Sequence, residues 1–228
     1  MTSKKSGCGC LPILGIGLAL TLGGLYFFNG KKLTPLEGAE VIPQEAIVSG
    51  YISTESKDWS ELEEIGIPEG INNNIEQLKS GSIANSNIDY QKDIKPWLGG
   101  AMFAMLPDQD TDDLLIILGI KNKLQAFKFM KKLEKQEKQH IEKIDYQGIT
   151  IFENTNLKKD IPYTALVDNK VILAEDYHTI EQAIDAYQNK SSLANLDNVN
   201  QIFSRQLNIK DPLAQIYFTN YGELLKNL

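Results

Sequence analysis

An uncharged run of 18 residues, Leu11 to Phe28 (LPILGIGLALTLGGLYFF), constrains this chain more than any other feature. As a helix it spans roughly 27 Å, close to the hydrocarbon thickness of a bilayer. Lys4 and Lys5 precede it, Lys31 and Lys32 follow it, and Tyr26, Phe27 and Phe28 suit a membrane interface. These features predict a single transmembrane anchor carrying a soluble domain on its C-terminal side. A cleaved secretory signal would end in a small-x-small site, whereas this run ends in Leu25-Tyr-Phe-Phe-Asn-Gly. A lipoprotein signal would place its cysteine after the run, but Cys8 and Cys10 lie before it. Gly15, Ala19 and Gly23 recur every fourth residue, a small-residue stripe along which two membrane helices can pack.

Orientation rests on a small margin. Two lysines lie on each side, so only the amino terminus tips the chain toward residues 1–10 in the cytoplasm. The domain is then expected in the periplasm or a thylakoid lumen. Residues 29–40 read as a polar tether, 41–211 as one α+β domain, and 212–228 as a final strand and helix. Pro43 and Pro212 each precede an apolar strand and an aromatic-led helix, so 212–228 also reads as the start of a truncated second repeat. On that second reading a lone strand and helix cannot bury their own apolar face, so Leu213–Phe218 is expected to pair with the existing sheet and Tyr221–Leu228 to be loosely held.

Charge narrows the function classes. The first 32 residues hold four lysines and no acid, so the formal −7 of the whole becomes −11 for residues 33–228. Such a domain is repelled by phosphate backbones, which argues against nucleic-acid partners. Glu55–Asp113 carries a net −9 and Lys121–Lys143 a net +5, a segregation able to steer an acidic partner. With no cysteine after Cys10, no disulfide can staple the domain.

Periodicity supplies the elements. Ala46–Ser53, Leu98–Leu106, Leu114–Ile120, Tyr163–Val167 and Val171–Ala174 read as strands. Tyr146-Gln-Gly-Ile149 and Val167-Asp-Asn-Lys170 read as hairpin turns. A helix is expected from Asn122, with Ala126, Phe127, Met130 and Leu133 at helical spacing. Two more are expected, capped by Asp176 and Asp197, the second burying Val199, Ile202, Phe203 and Leu207. Short hairpins with helices inserted between strand groups predict an α+β fold: a largely antiparallel sheet with helices packed on one side.

The stretch Asp93-Ile-Lys-Pro-Trp-Leu-Gly-Gly100, with Asn87-Ile-Asp-Tyr-Gln-Lys before it and Tyr146-Gln-Gly-Ile and Ser191-Ser-Leu-Ala-Asn after it, resembles the cyanobacterial membrane-anchored proteins of the domain of unknown function 3352 family. The resemblance covers residues 41–220 or so. It implies a cyanobacterial membrane protein and brings no activity, cofactor or site residues; family members are often longer. Physically, Pro96 fixes φ at the start of a strand, Trp97 offers a large ring as a lid over a core, and Gly99-Gly100 permit a bulge. Asp93, Pro96, Trp97, Gly99 and Gly100 are therefore the structural or recognition candidates.

No chemical motif stands out. His140 and His178 are the two histidines, with no Gly-x-Ser-x-Gly elbow and no glycine-rich phosphate loop. Asp108-x-Asp110-x-Asp112 is a weak cation candidate, lacking the glycine and glutamate that complete a calcium loop. No cofactor is expected. The sequence favours a non-enzymatic interaction or assembly module that engages another membrane or lumenal protein. The alternatives are a lipid or pigment carrier with an apolar pocket, and an enzyme whose carboxylates Asp89, Asp93, Asp145 and Glu175 converge.

Overall fold

The computed structural model describes residues 30–54, 89–107, 113–136, 141–155, 162–204 and 213–219. Eight strands in these segments form one sheet: β1 (Val48–Ile52), β2 (Leu98–Leu106), β3 (Asp113–Ile120), β4 (Ile141–Tyr146), β5 (Ile149–Asn154), β6 (Tyr163–Val167), β7 (Lys170–Ala174) and β8 (Ala214–Phe218). Their order is β4-β5-β6-β7-β3-β2-β1-β8, and every pairing is antiparallel. The helices among the described residues are α1 (Pro35–Ala39), α2 (Lys123–Gln136), α3 (Tyr177–Gln188) and α4 (Asp197–Ser204). A π-helical turn covers Tyr90–Ile94 and a 3-10 turn covers Leu193–Asn195. The expected α+β class and antiparallel sheet are both present.

The helices do not lie on one side. Leu115, Ile117, Ile172 and Ala174 point to one face, where they pack with Ile180, Ala183 and Ile184 of α3 and Val199 of α4. Val171 and Leu173 point to the other, with Ile116 and Leu118, against Ala126 and Phe129 of α2. Two-sided burial follows from composition. β3 (DLLIILGI) and β7 (KVILA) are nearly continuous apolar runs, so each face needs a cover.

Residues 30–40, expected to belong to a polar tether, pack onto the sheet instead. Gly30–Thr34 crosses the sheet, with Leu33 buried and its N–H donating to the Gly99 carbonyl at 2.8 Å. Close approach explains the glycines here: a Cβ at Gly119 would lie 2.4 Å from Leu33 Cβ, and one at Gly99 would lie 2.8 Å from Lys121 Cβ. Gly100 adopts φ +133°, and the β2–β3 register shifts between Leu98 and Ala101 as a bulge. Thr34 then caps α1 in a reciprocal box with Glu37, and Pro35 opens the helix.

Local chemistry sets the other boundaries. Gln147 and Gly148 both take positive φ between β4 and β5, as a two-residue hairpin requires. Asp176 Oδ1 accepts from the Thr179 amide and caps α3. Ile202 is 50% exposed and does not face inward as expected. β8 joins the sheet as expected, and its partner is β1, from Ile52↔Ala214 to Val48↔Phe218. The predicted anchor 11–28, its stripe Gly15, Ala19 and Gly23, the segment 220–228 and the aspartates 108, 110 and 112 lie outside the described residues. Among the described residues no helix is long and apolar enough to cross a membrane.

Candidate functional site

The five residues singled out around the start of β2 lie together, three in the turn that leads into the strand and two in its first residues. The π-helical turn is closed by Lys95 N–H donating to Tyr90 O at 2.8 Å. Asp89 Oδ1 accepts from Lys92 N, and Asp93 Oδ2 accepts from Asp89 N at 2.8 Å. The Lys92 amide, ahead of the opposing effect of burial, holds the Asp89 carboxyl below its ordinary value. Asp93 also forms an ion pair with Lys132, linking the turn to α2. Trp97 is buried, donates its indole N–H to the Asp93 carbonyl at 2.9 Å, and stacks on Phe129 at 5.7 Å. Pro96 sits between turn and strand, and Gly99 and Gly100 admit the incoming segment.

The carboxylates named for an enzyme do not converge. Asp89 and Asp93 meet in the π-helical turn. Asp145 is exposed on the outer strand β4, and Glu175 follows the far end of β7. A different polar cluster forms at the start of α3, where the Thr179 hydroxyl lies 2.5 Å from Asp176 Oδ2 and 3.2 Å from Asp113 Oδ2. Burial alone would raise Asp176, but the Thr179 hydroxyl and amide and a hydrogen bond with Asp113 outweigh it and lower its pKa. Among the described residues, no group of three or more His, Cys, Asp or Glu is placed to hold a metal ion.

A cleft of about 360 Å³ opens where residues 31–33 cross the sheet, lined also by α1 and the β6–β7 turn. Its floor is the ion pair of Lys170 with Glu40 at 2.9 Å, with the Lys170 ammonium 5.5 Å from the Tyr187 ring centroid. Burial, then the hydrogen bond its hydroxyl donates to Asp168, push Tyr187 up to about 12. Burial lowers Lys123 nearby, against the attraction of Asp168. This cleft is charged, so it does not supply the apolar pocket that a carrier needs. Sequence reasoning missed it because register unites its parts: Gly119↔Lys170 brings the β6–β7 turn under residues 31–33.

The sheet has a second distinctive surface. Val48, Gly50 and Ile52 of β1, Phe103 and Met105 of β2, and Ile216 and Phe218 of β8 share the face that α2 covers further along. The Phe103 ring lies across Gly50. Ile216 is 63% and Phe218 46% exposed.

No curated protein matches the chain. Two solved structures are similar to it. One is crystal form III of TP0453, at 11% identity and a TM-score of 0.48, covering 84% of this chain and 66% of that one. The other is crystal form IV of TP0453, at 10% identity and a TM-score of 0.46, covering 84% of this chain and 67% of that one. This chain thus spans just under two thirds of the form III chain. A family model described as protein of unknown function (DUF3352) matches residues 7–227, and the chain belongs to that family.

Proposed function

We propose that this chain is a single-pass, membrane-anchored, non-enzymatic interaction or assembly module, with its domain in the periplasm or thylakoid lumen of a cyanobacterium. The observation that carries the interaction role is the contrast between the two edges of the sheet. β4 carries Glu142, Lys143 and Asp145, charges that discourage a further strand. β8, AQIYF, carries none and leaves Ile216 and Phe218 exposed. An uncharged edge with apolar side chains beside it suits strand addition, in which main-chain groups bind and alternate side chains select. A strand from another protein of the same membrane is the occupant suited to a tethered domain. The anchor is supported by the uncharged run 11–28 and its flanking lysines.

The test places a photoreactive residue at Ile216 of the full chain in native membranes, with Lys143 on the opposite edge as control. The expected result is one discrete adduct with another membrane protein from position 216, lost in Phe218→Lys at unchanged melting temperature. Equal labelling from both positions, or an adduct only with a second copy, refutes the reading. Protease added to right-side-out spheroplasts or inverted thylakoid vesicles is expected to digest residues 33–228. Protection in both preparations would place the domain in the cytoplasm.

A further inference from the structure

The end of the sheet where the chain arrives from residues 11–28 is built differently from the rest of this acidic domain. Lys31 and Lys32 line the cleft and are exposed, and neither has an ion-pair partner among the described residues. Lys121 is adjacent, since the space above Gly99 is bounded by Lys121 Cβ and Lys32 Cα. Lys123 approaches Asp168 on the same side. The carboxylates of the cleft are already engaged by donors. Glu40 holds Lys170, Glu37 accepts from Thr34, and Asp168 accepts from Tyr187. Counted as formal charges, Lys31, Lys32 and Lys170 balance Glu37, Glu40 and Asp168 in the lining, and Lys121 and Lys123 beside it make the mouth net positive. Each engaged carboxylate still has lone pairs free, so it can accept from a hydroxyl group as well.

Cations at a cleft mouth with acceptors behind them match a small group that carries an anion and hydroxyls together. The volume of about 360 Å³ suits a polar headgroup and is too small for acyl chains as well. We propose that this cleft binds a phosphate bearing a short polyol, the phosphate meeting Lys31 and Lys32 and the hydroxyls donating to Glu37 and Asp168. Its source is the glycerol-phosphate headgroup of an anionic lipid in the anchor's own membrane, since Lys31 follows Phe28 by three residues. The lipid source rests on the anchor reading above; the phosphate chemistry of the cleft does not.

The test uses the full chain in nanodiscs of phosphatidylcholine, titrated with water-soluble glycerophosphoglycerol and with inorganic phosphate. Glycerophosphoglycerol is expected to bind saturably at one site, and Lys31→Gln with Lys32→Gln to weaken it at least tenfold. Lys128→Gln with Lys190→Gln, which removes the same charge from exposed positions elsewhere, is expected to leave binding within twofold. In discs containing phosphatidylglycerol the soluble probe is expected to bind at least tenfold more weakly, because the lipid occupies the cleft. Equal binding in both kinds of disc would assign the site to a soluble phosphate and overturn the lipid source. Inorganic phosphate binding as tightly as glycerophosphoglycerol would overturn the polyol contacts. No binding of either probe, or equal loss in both double variants, overturns the site. A chain that does not enter discs refutes the anchor instead, and the same titration then tests the cleft in solution.

Discussion

Replacing Trp97 tests the hub that joins the π-helical turn, β2 and α2. The side chain is 1% exposed, so Trp97→Ala removes a fully buried ring, a change that costs about 3–5 kcal/mol in protein cores. Two other contacts divide that total. The indole N–H donates to the Asp93 carbonyl at 2.9 Å, worth about 0.5–1.5 kcal/mol, and the ring stacks on Phe129 at 5.7 Å, worth a similar amount beyond its area. Trp97→Phe keeps an apolar ring and loses the donor, so it is expected to cost less than half as much as the alanine change. A double-mutant cycle with Phe129→Ala isolates the stacking, with an expected coupling of about 0.5–1.5 kcal/mol. Urea unfolding of the full chain in neutral detergent, followed by far-ultraviolet circular dichroism, reads each value. With a slope of about 2 kcal/mol/M, a loss of 4 kcal/mol moves the midpoint by about 2 M. An alanine variant that unfolds with the wild type, or phenylalanine and alanine variants of equal cost, would refute the reasoning, because ring burial would then contribute nothing.

Three further outcomes are expected. Gly119→Val overfills the space occupied by Leu33 and is expected to cost about 1–3 kcal/mol, with faster proteolysis within residues 30–34 as the sign that the crossing segment has lifted; unchanged cleavage would refute the close approach. Because the folded state raises Tyr187 to about 12 from an ordinary 10.0, its contribution is full below pH 10 and is lost as pH rises toward 12. Tyr187→Phe is therefore expected to lose about 1 kcal/mol at pH 8 and to show a smaller alkaline fall in urea midpoint than the wild type. Asp176 is depressed in the folded state, so its contribution is present above its ordinary 3.8 and lost as pH falls through its folded value. Asp176→Ala is expected to cost about 1 kcal/mol at neutral pH, with a shallower acid limb; an unchanged limb would show that Asp176 does not set it.

What could be read in the sequence was local. β2 was legible at both ends because an apolar run stops at Pro107, and the β4–β5 turn because Gln147-Gly148 separates two short alternating stretches. Asp176 was legible as a cap because its side chain acts three residues away. The docked segment carried a local signal too: Thr34-Pro-x-Glu37 is a capping box with proline at the first helical position, and its polar composition hid it. Helices on both faces were foreshadowed by β3, where Leu114–Leu118 has no polar residue to face water. The cleft had no such signal. Glu40 and Lys170 are 130 residues apart, and only strand register sets one against the other.

The crossing of residues 30–34 also decides how the domain transmits force. A 12-residue polymer such as 29–40 would reach roughly 40 Å when extended and would let its cargo swing. Here the first five residues after Phe28 end at a side chain clamped over the middle strands, with the Leu33 amide bonded to Gly99. A pull from the N-terminal side therefore loads the centre of an eight-stranded sheet rather than peeling a strand from its edge. Peeling breaks hydrogen bonds one at a time. Dislodging Leu33 requires the buried side chain and the β2 bulge to yield together, so the junction acts as a stiff bracket rather than a leash.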